Sequence, residues 1–264
     1  MIYRTRGKQS LDGGRRTRRA VAAAWLALFV ATRTACGDDY LESHRFAAPE
    51  ATQAAAADER FVYAIANKVV AKYDRERQQL VARSTGEATH LNTGFFLGGK
   101  MYCAHSNFPQ KPDRSDIKIL DPKTMVLETF KDFGASDGSL TWAVFEKGAW
   151  WCNFAFYGEE NRKTYLARLE DWREVARWTY PAEVVKAFGK NSASCGIWRD
   201  GQLLITGHDE REIFVLEIPD QGQRVLNHVR TVAAPFTGQG FAVDPVSQGL
   251  IGIDRAARQI VFAK

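Results

Sequence analysis

Three features of this 264-residue sequence predict an all-β fold, a five-bladed β-propeller with four-stranded blades. Short apolar runs recur from about residue 48 onward, with turns at even spacing and few helical periods. Ala48–Asp58 (APEATQAAAAD) and Ala234–Asp244 (APFTGQGFAVD) match without a gap at five of eleven positions, and they start 186 residues apart. That separation is close to four periods of ~45 residues, the usual spacing of propeller blades. Between them one unit keeps returning: an apolar run, a tight turn, a second apolar run, and usually two further strands.

The blades follow in order. The first, residues 50–84, turns at Asp58-Glu59-Arg60 before FVYAIAN. The second, 87–133, opens on HLNTGFFL, turns at Gly98-Gly99 and returns as MYCAHSN, a hairpin whose ends bring His90 and His105 to one rim. The third, 137–180, turns at Glu146-Lys147-Gly148 before AWWCNFAFY, and the fourth, 192–233, turns at Asp200-Gly201 before QLLITGHD. A last unit begins at Thr237 and has only three strands before Lys264. Its fourth strand is expected from Leu41–Ala47, because an unclosed ring would leave unpaired strand edges. A six-bladed ring with one degenerate blade is the alternative.

Residues 1–36 are read as an export signal and 37–264 as the propeller domain. The leader carries eight of the 36 Lys and Arg and one of the 31 acids. The remainder therefore has 28 basic and 30 acidic residues, a net charge of −2, which gives no reason to expect nucleic-acid binding. Ala20–Val30 is an apolar run too short to span a membrane, so no transmembrane helix is expected in the mature chain. Thr17-Arg18-Arg19-Ala20-Val21-Ala22 matches a twin-arginine pattern, with the general secretory route as the alternative. Cys36 after Thr34-Ala35 partly matches a lipoprotein cleavage box, though Arg33 stands where that box wants an apolar residue. The expectation is a periplasmic or extracellular monomer, with lipidation left open. Cys103, Cys152 and Cys195 do not make a disulfide framework and read as small buried residues.

In a propeller the first strand of each blade lines the axis, and its start shares a rim with the end of the second strand. First-strand starts here carry Gln53, His90 with Asn92, Ser139 with Thr141, Ser194, and Gln239. Second-strand ends carry Asn67, His105 with Ser106 and Asn107, Asn153 with Tyr157, His208 with Asp209, and Asp254. The opposite turns carry solubilising residues such as Glu59, Lys100, Lys147 and Asp200. His90, His208 and Asp209 are the catalytic candidates, since an imidazole beside a carboxylate suits proton transfer. His105, Asn107, Trp142, Asn153, Tyr157 and Gln239 are the ligand-binding candidates, with Trp142 offering an aromatic wall. Trp150, Trp151 and Trp178 read as packing between blades. His90, His105 and His208 with Asp209 or Asp254 would suit a divalent transition metal, but no close His or Cys spacing fixes one, and the cofactor stays unknown. No phosphate-binding loop, dinucleotide glycine pattern or Gly-x-Ser-x-Gly is present.

The phrases HLN, CAHSN, GSLTW and TGHD, with the repeat shape over residues 41–264, resemble exported bacterial propellers of the broad NHL and lactonase-like kind, some loosely named cycloisomerases. Thr52-Gln53-Ala54 and Thr237-Gly238-Gln239-Gly240 partly resemble the Thr-Gln-Gly phrase of plant-type glutaminyl cyclotransferases, whose Glu-rich rim motif this chain lacks. Three functions follow as expectations. The polar rim binds a small polar ligand or a protein partner, or it is a lactonase, cycloisomerase or lyase with a histidine acid/base, or the protein is a structural interaction module.

Overall fold

The computed structural model describes residues 39–264; the export-signal reading of residues 1–36, with Cys36, lies outside the described residues. β1 (Glu42–Ala47) comes first in the chain but belongs to the last blade. Blade 1 is built from β2 (Ala54–Ala57), β3 (Phe61–Ala66), β4 (Val69–Asp74) and β5 (Leu80–Arg83). Blade 2 has β6 (His90–Leu97), β7 (Lys100–Ser106), β8 (Arg114–Asp121) and β9 (Val126–Ala135). Blade 3 has β10 (Ser139–Glu146), β11 (Ala149–Ala155), β12 (Tyr165–Glu170) and β13 (Arg173–Thr179). A short helix, α1 (Ala182–Ala187), leads to blade 4, made of β14 (Cys195–Arg199), β15 (Gln202–Thr206), β16 (Glu212–Glu217) and β17 (Asn227–Ala233). Blade 5 has β18 (Ala242–Val243), β19 (Leu250–Asp254) and β20 (Gln259–Ala263), and β1 pairs antiparallel with β20 as its outer strand. The five sheets are antiparallel throughout and four strands wide, so the ring is five-bladed and closed by the N-terminal strand.

Local chemistry explains the turns. Gly98 and Gly99 have φ of +57° and +74°, the left-handed pair that a two-residue hairpin loop requires. The two matched segments also do the same work in blades 1 and 5. Asp58 Oδ1 accepts the backbone N–H groups of Arg60 and Phe61 at 2.8 and 2.6 Å. Asp244 accepts those of Val246 and Ser247 at 3.3 and 3.2 Å. Each aspartate thus holds the turn that follows a first strand.

β2 is four consecutive alanines, a helix-favouring run by intrinsic propensity. It is a strand because all four side chains are buried on the innermost strand of the blade, where both faces are covered and little room exists. A Cβ added to Gly240 would lie 2.3 Å from Ala54 Cβ, so small residues are needed on both sides of that contact.

A ring of hydrogen bonds joins the blades near the axis. Asn67 O accepts from Leu91 N at 2.8 Å between blades 1 and 2. Asn92 Nδ2 donates to Leu140 O at 2.8 Å, and Thr141 Oγ1 donates to Ala193 O at 2.7 Å, linking blades 2, 3 and 4. Thr206 Oγ1 donates to Gln239 O at 2.9 Å, and Gly240 N donates to Gln53 O at 2.8 Å, which carries the ring through blade 5 back to blade 1.

The core lies between the blades. Trp142, Trp151 and Trp178 pack with Leu203, Ile205 and Phe214 at the blade 3–4 interface, while Trp150 and Cys152 pack with Ala104 and Ile117 at the blade 2–3 interface. Removing each such side chain from water contributes on the order of 1.5–3 kcal/mol. The tryptophans expected to fill these interfaces do so. Cys103, Cys152 and Cys195 are buried and unpaired, and burial pushes the thiols of Cys103 and Cys195 up to about 12. Among the described residues no helix is long and apolar enough to cross a membrane.

Candidate functional site

The rim where the first strands begin encloses a polar cleft of about 140 Å³. All five blades contribute from the positions singled out in the sequence: Gln53, His90 with Asn92, Thr141, Ser194, and Gln239. Phe108 and Tyr157 come from the segments after β7 and β11, and His208 and Arg255 from those after β15 and β19. Two bulges shape the wall. The register of β6 against β7 shifts between Leu91 and Gly94, and that of β10 against β11 shifts between Leu140 and Trp142. The bulged residues are Asn92 with Thr93 in β6 and Thr141 in β10, and bulges re-aim side chains in this way.

His90 is half-buried, with its ring 5.3 Å from that of Phe108, which lies 4.8 Å from Tyr157. Burial first, then the charges of His105 and Arg255, hold the His90 imidazole below its ordinary pKa, while a hydrogen bond from the ring to the Asn92 side chain acts the other way. Burial pushes the Tyr157 phenol up to about 12, so it stays protonated in the cleft.

His208 is held from both sides. Its Nδ1 lies 2.6 Å from Asp209 Oδ1, and its Nε2 lies 3.0 Å from Arg255 Nη1. A guanidinium can only donate, so Nε2 accepts and the proton sits on Nδ1, directed at Asp209. Asp209 also accepts from Asn191 Nδ2 at 3.1 Å. His208 and Arg255 also line a shallow outer hollow together with Asp209, Thr237 and Arg258.

Four sequence-based site candidates have other roles. Trp142 is fully buried, its ring filling the space over Gly196 between blades 3 and 4, so it presents no face to a ligand. Asn153 is fully buried, donating to Thr141 Oγ1 at 2.8 Å and accepting from Tyr180 Oη at 2.6 Å. His105 is buried inside blade 2, with Nδ1 2.9 Å from Asp116 Oδ1 and Nε2 accepting from Thr89 N at 2.9 Å. Asn107 braces its own loop, donating to Pro112 O and accepting from Arg114 N, each at 2.9 Å. The common reason is geometric. Asn153, His105 and Asn107 lie on or just after second strands, one strand out from the axis. Trp142, on the first strand β10, turns its ring into the interface with blade 4. All four side chains therefore meet neighbouring strands, loops or blades. Among the described residues no three His, Cys, Asp or Glu side chains gather as a metal-ligand set, so the pairing of His90, His105 and His208 on one metal is not formed. Asp254 is likewise engaged elsewhere, in an ion pair with Arg211 at 2.7 Å.

Arg255 and Phe108 escaped the sequence reading. Phe108 sits one residue past the Asn107 cluster, and Arg255 one residue past Asp254. The rule that selected the end of each second strand stopped one position short in both.

The opposite mouth of the channel differs from its expected solubilising character. It opens into a cavity of about 810 Å³ lined by Phe61, Phe96, Phe145, Ile197 and Trp198, with charged side chains from the hairpin turns around it. The turns are polar as expected, but the first strands of blades 2, 3 and 4 bring Phe96, Phe145, Ile197 and Trp198 to this mouth, and Phe61 joins them from β3.

No protein-family model matches the sequence, and no curated protein matches it. In three dimensions the chain is similar to the crystal structure of Myxococcus xanthus glutaminyl cyclase, with a TM-score of 0.58 and 12% identity over 85% of this chain and 95% of that one. What is shared is the fold. Chains in structures of the mitotic checkpoint complex and of Kuenenia stuttgartiensis hydrazine synthase align with TM-scores of 0.44 at 11% and 10% identity, over 78% of this chain and 74% and 69% of theirs.

Proposed function

We propose that the protein binds a small polar ligand in the axial cleft. One observation carries this reading: a cleft on the axis draws polar side chains from all five blades, with two imidazoles and a guanidinium among them. The frame around it is already satisfied by the inter-blade hydrogen bonds, which leaves the ring of His90 and the guanidinium of Arg255 for a ligand. Its size suits a molecule smaller than a typical drug. The basic, apolar leader sequence supports export, with the cleft then meeting solutes outside the cytoplasm.

A second reading, an enzyme at the same cleft, is favoured by the likeness in fold to a glutaminyl cyclase and by the state of His90. An imidazole kept neutral by burial can accept a proton from a bound substrate, as a lactonase, cycloisomerase or lyase of the resembled families would need. His208 is the poorer base, since both of its nitrogens are occupied.

Ligand-observed NMR on the purified chain, with lactones, sugars, amides and carboxylic acids as separate pools, tests the proposal. Saturable binding by at least one pool, lost in His90→Ala with the melting temperature retained, is the expected result. Binding unaffected by His90→Ala and Arg255→Gln, or no binding in any pool, contradicts it. Hits are then followed for turnover, where His90→Gln separates the enzyme from the binding protein by abolishing conversion.

A further inference from the structure

Resting on the cleft as the ligand site, we infer that its ligand carries one carboxylate, which Arg255 binds while His208 positions the guanidinium. The charge distribution motivates this. The other half-buried arginines among the described residues have carboxylate partners: Arg45 with Glu42, Arg75 with Asp244 at 2.8 Å, Arg168 with Glu170 at 2.6 Å, and Arg199 with Asp200 at 3.7 Å. Arg255 is half-buried on the cleft wall and forms no ion pair with any described carboxylate. Its side chain has one hydrogen bond, from Nη1 to His208 Nε2 at 3.0 Å. A guanidinium withdrawn from water without a counter-charge is costly, and an incoming anion removes that cost.

The rest of the wall agrees. No Asp or Glu lines the cleft, so an anion meets no like charge there. Arg255 is the one fixed positive charge among the lining residues, which matches a monoanion and leaves a dianion such as phosphate half-compensated. The planar fork of the guanidinium pairs with the two oxygens of a carboxylate. The Asp209–His208–Arg255 chain then has a purpose. Asp209 fixes the His208 tautomer, and the lone pair of Nε2 fixes Nη1, so the fork is oriented before the ligand arrives. At about 140 Å³ the cleft has room for a short acid, with His90 and Phe108 beside its remaining atoms.

Isothermal titration with acid–amide pairs (propionate and propionamide, lactate and lactamide) tests this on the unaltered chain, with no substitution needed. The acids are expected to bind at least tenfold more tightly than their amides. In Arg255→Gln that preference is expected to vanish, and in Arg255→Lys to fall severalfold. His208→Leu is expected to reduce the acid–amide ratio about tenfold, while His208→Gln, whose Oε1 can accept from Nη1, retains most of it. A general loosening of the fold would weaken acid and amide alike, so the ratio reports positioning. Amides, sugars or lactones binding as well as the acids, with that binding lost in His90→Ala, overturns the carboxylate assignment and leaves the cleft as a ligand site. Binding that ignores both His90→Ala and Arg255→Gln overturns the site itself.

Discussion

The ring of Trp142 rests against Gly196: a Cβ built on Gly196 would lie 2.5 Å from Trp142 Cζ2. The two residues come from β10 and β14, the first strands of adjacent blades, and the contact sets how closely blades 3 and 4 approach. The glycine is required by space, since both its own backbone and the neighbouring indole are fixed in a buried interface. Gly196→Ala is therefore expected to destabilise the fold by about 1–3 kcal/mol through overpacking. Urea unfolding checks this as a lower midpoint with an unchanged slope. An unchanged midpoint would mean the blades can part at no cost.

The closing strand should carry stability out of proportion to its length. Phe46 is buried, and its ring meets Tyr73 at 5.8 Å and Phe262 at 6.3 Å. Phe46→Ala is expected to cost about 3–5 kcal/mol. Removing the chain through Ala47 goes further, because β20 then presents an open edge, and the truncated protein is expected to self-associate in size-exclusion chromatography. A truncated chain that stays monomeric and melts with the full protein would refute the closure.

The seam between blades 1 and 5 depends on pH. Burial raises the Asp244 carboxyl pKa, but hydrogen bonds from Ser247 and Arg75 outweigh it and hold the carboxyl below its ordinary value. A carboxylate with a lowered folded pKa contributes stability that is complete above its unfolded value of about 3.9. That contribution is lost as pH falls through the folded value. Asp244→Asn is expected to cost about 3–5 kcal/mol at neutral pH, since it removes the buried carboxylate and leaves the half-buried Arg75 without its counter-charge. Denaturation from pH 7 downward should show the gap between the two proteins closing only in the acid range below about 4. A gap that stays constant with pH would contradict the role of the charge.

His90 gives the opposite kind of pH signal. Its folded pKa is lowered, so the unfolded chain binds this proton more readily. The stability associated with neutral His90 is present above about 6.5 and is lost as pH falls from there toward the folded value. His90→Gln should flatten that part of the stability profile relative to the wild type. Arg255→Gln should move the His90 titration upward in NMR, because the charge of Arg255 is one cause of the depression. No upward movement would show that burial alone sets it.

The blade pattern was legible in the sequence because each blade repeats a physical task. Asp58 and Asp244 each fix a turn, Gln53 and Gln239 each sit at a first-strand start on the cleft, and their matching residues exposed the period. The site was legible to the extent that first strands line the axis. Gln53, His90, Thr141, Ser194 and Gln239 all reach the cleft for that reason. Second-strand ends followed only in part: Tyr157 and His208 reach the cleft, but strand register decides whether Asp254 or Arg255 faces inward. Asp254 turns to Arg45 and Arg211, and Arg255 takes the cleft. The apolar mouth opposite was hidden by the polar turns that rim it.

Crystals soaked in millimolar lactate test the central claim most directly. The account predicts difference density in the axial cleft, with a carboxylate about 2.7–2.9 Å from the Arg255 guanidinium and the remaining atoms beside His90. An empty cleft at saturating lactate, or density confined to the apolar cavity at the opposite mouth, would contradict it.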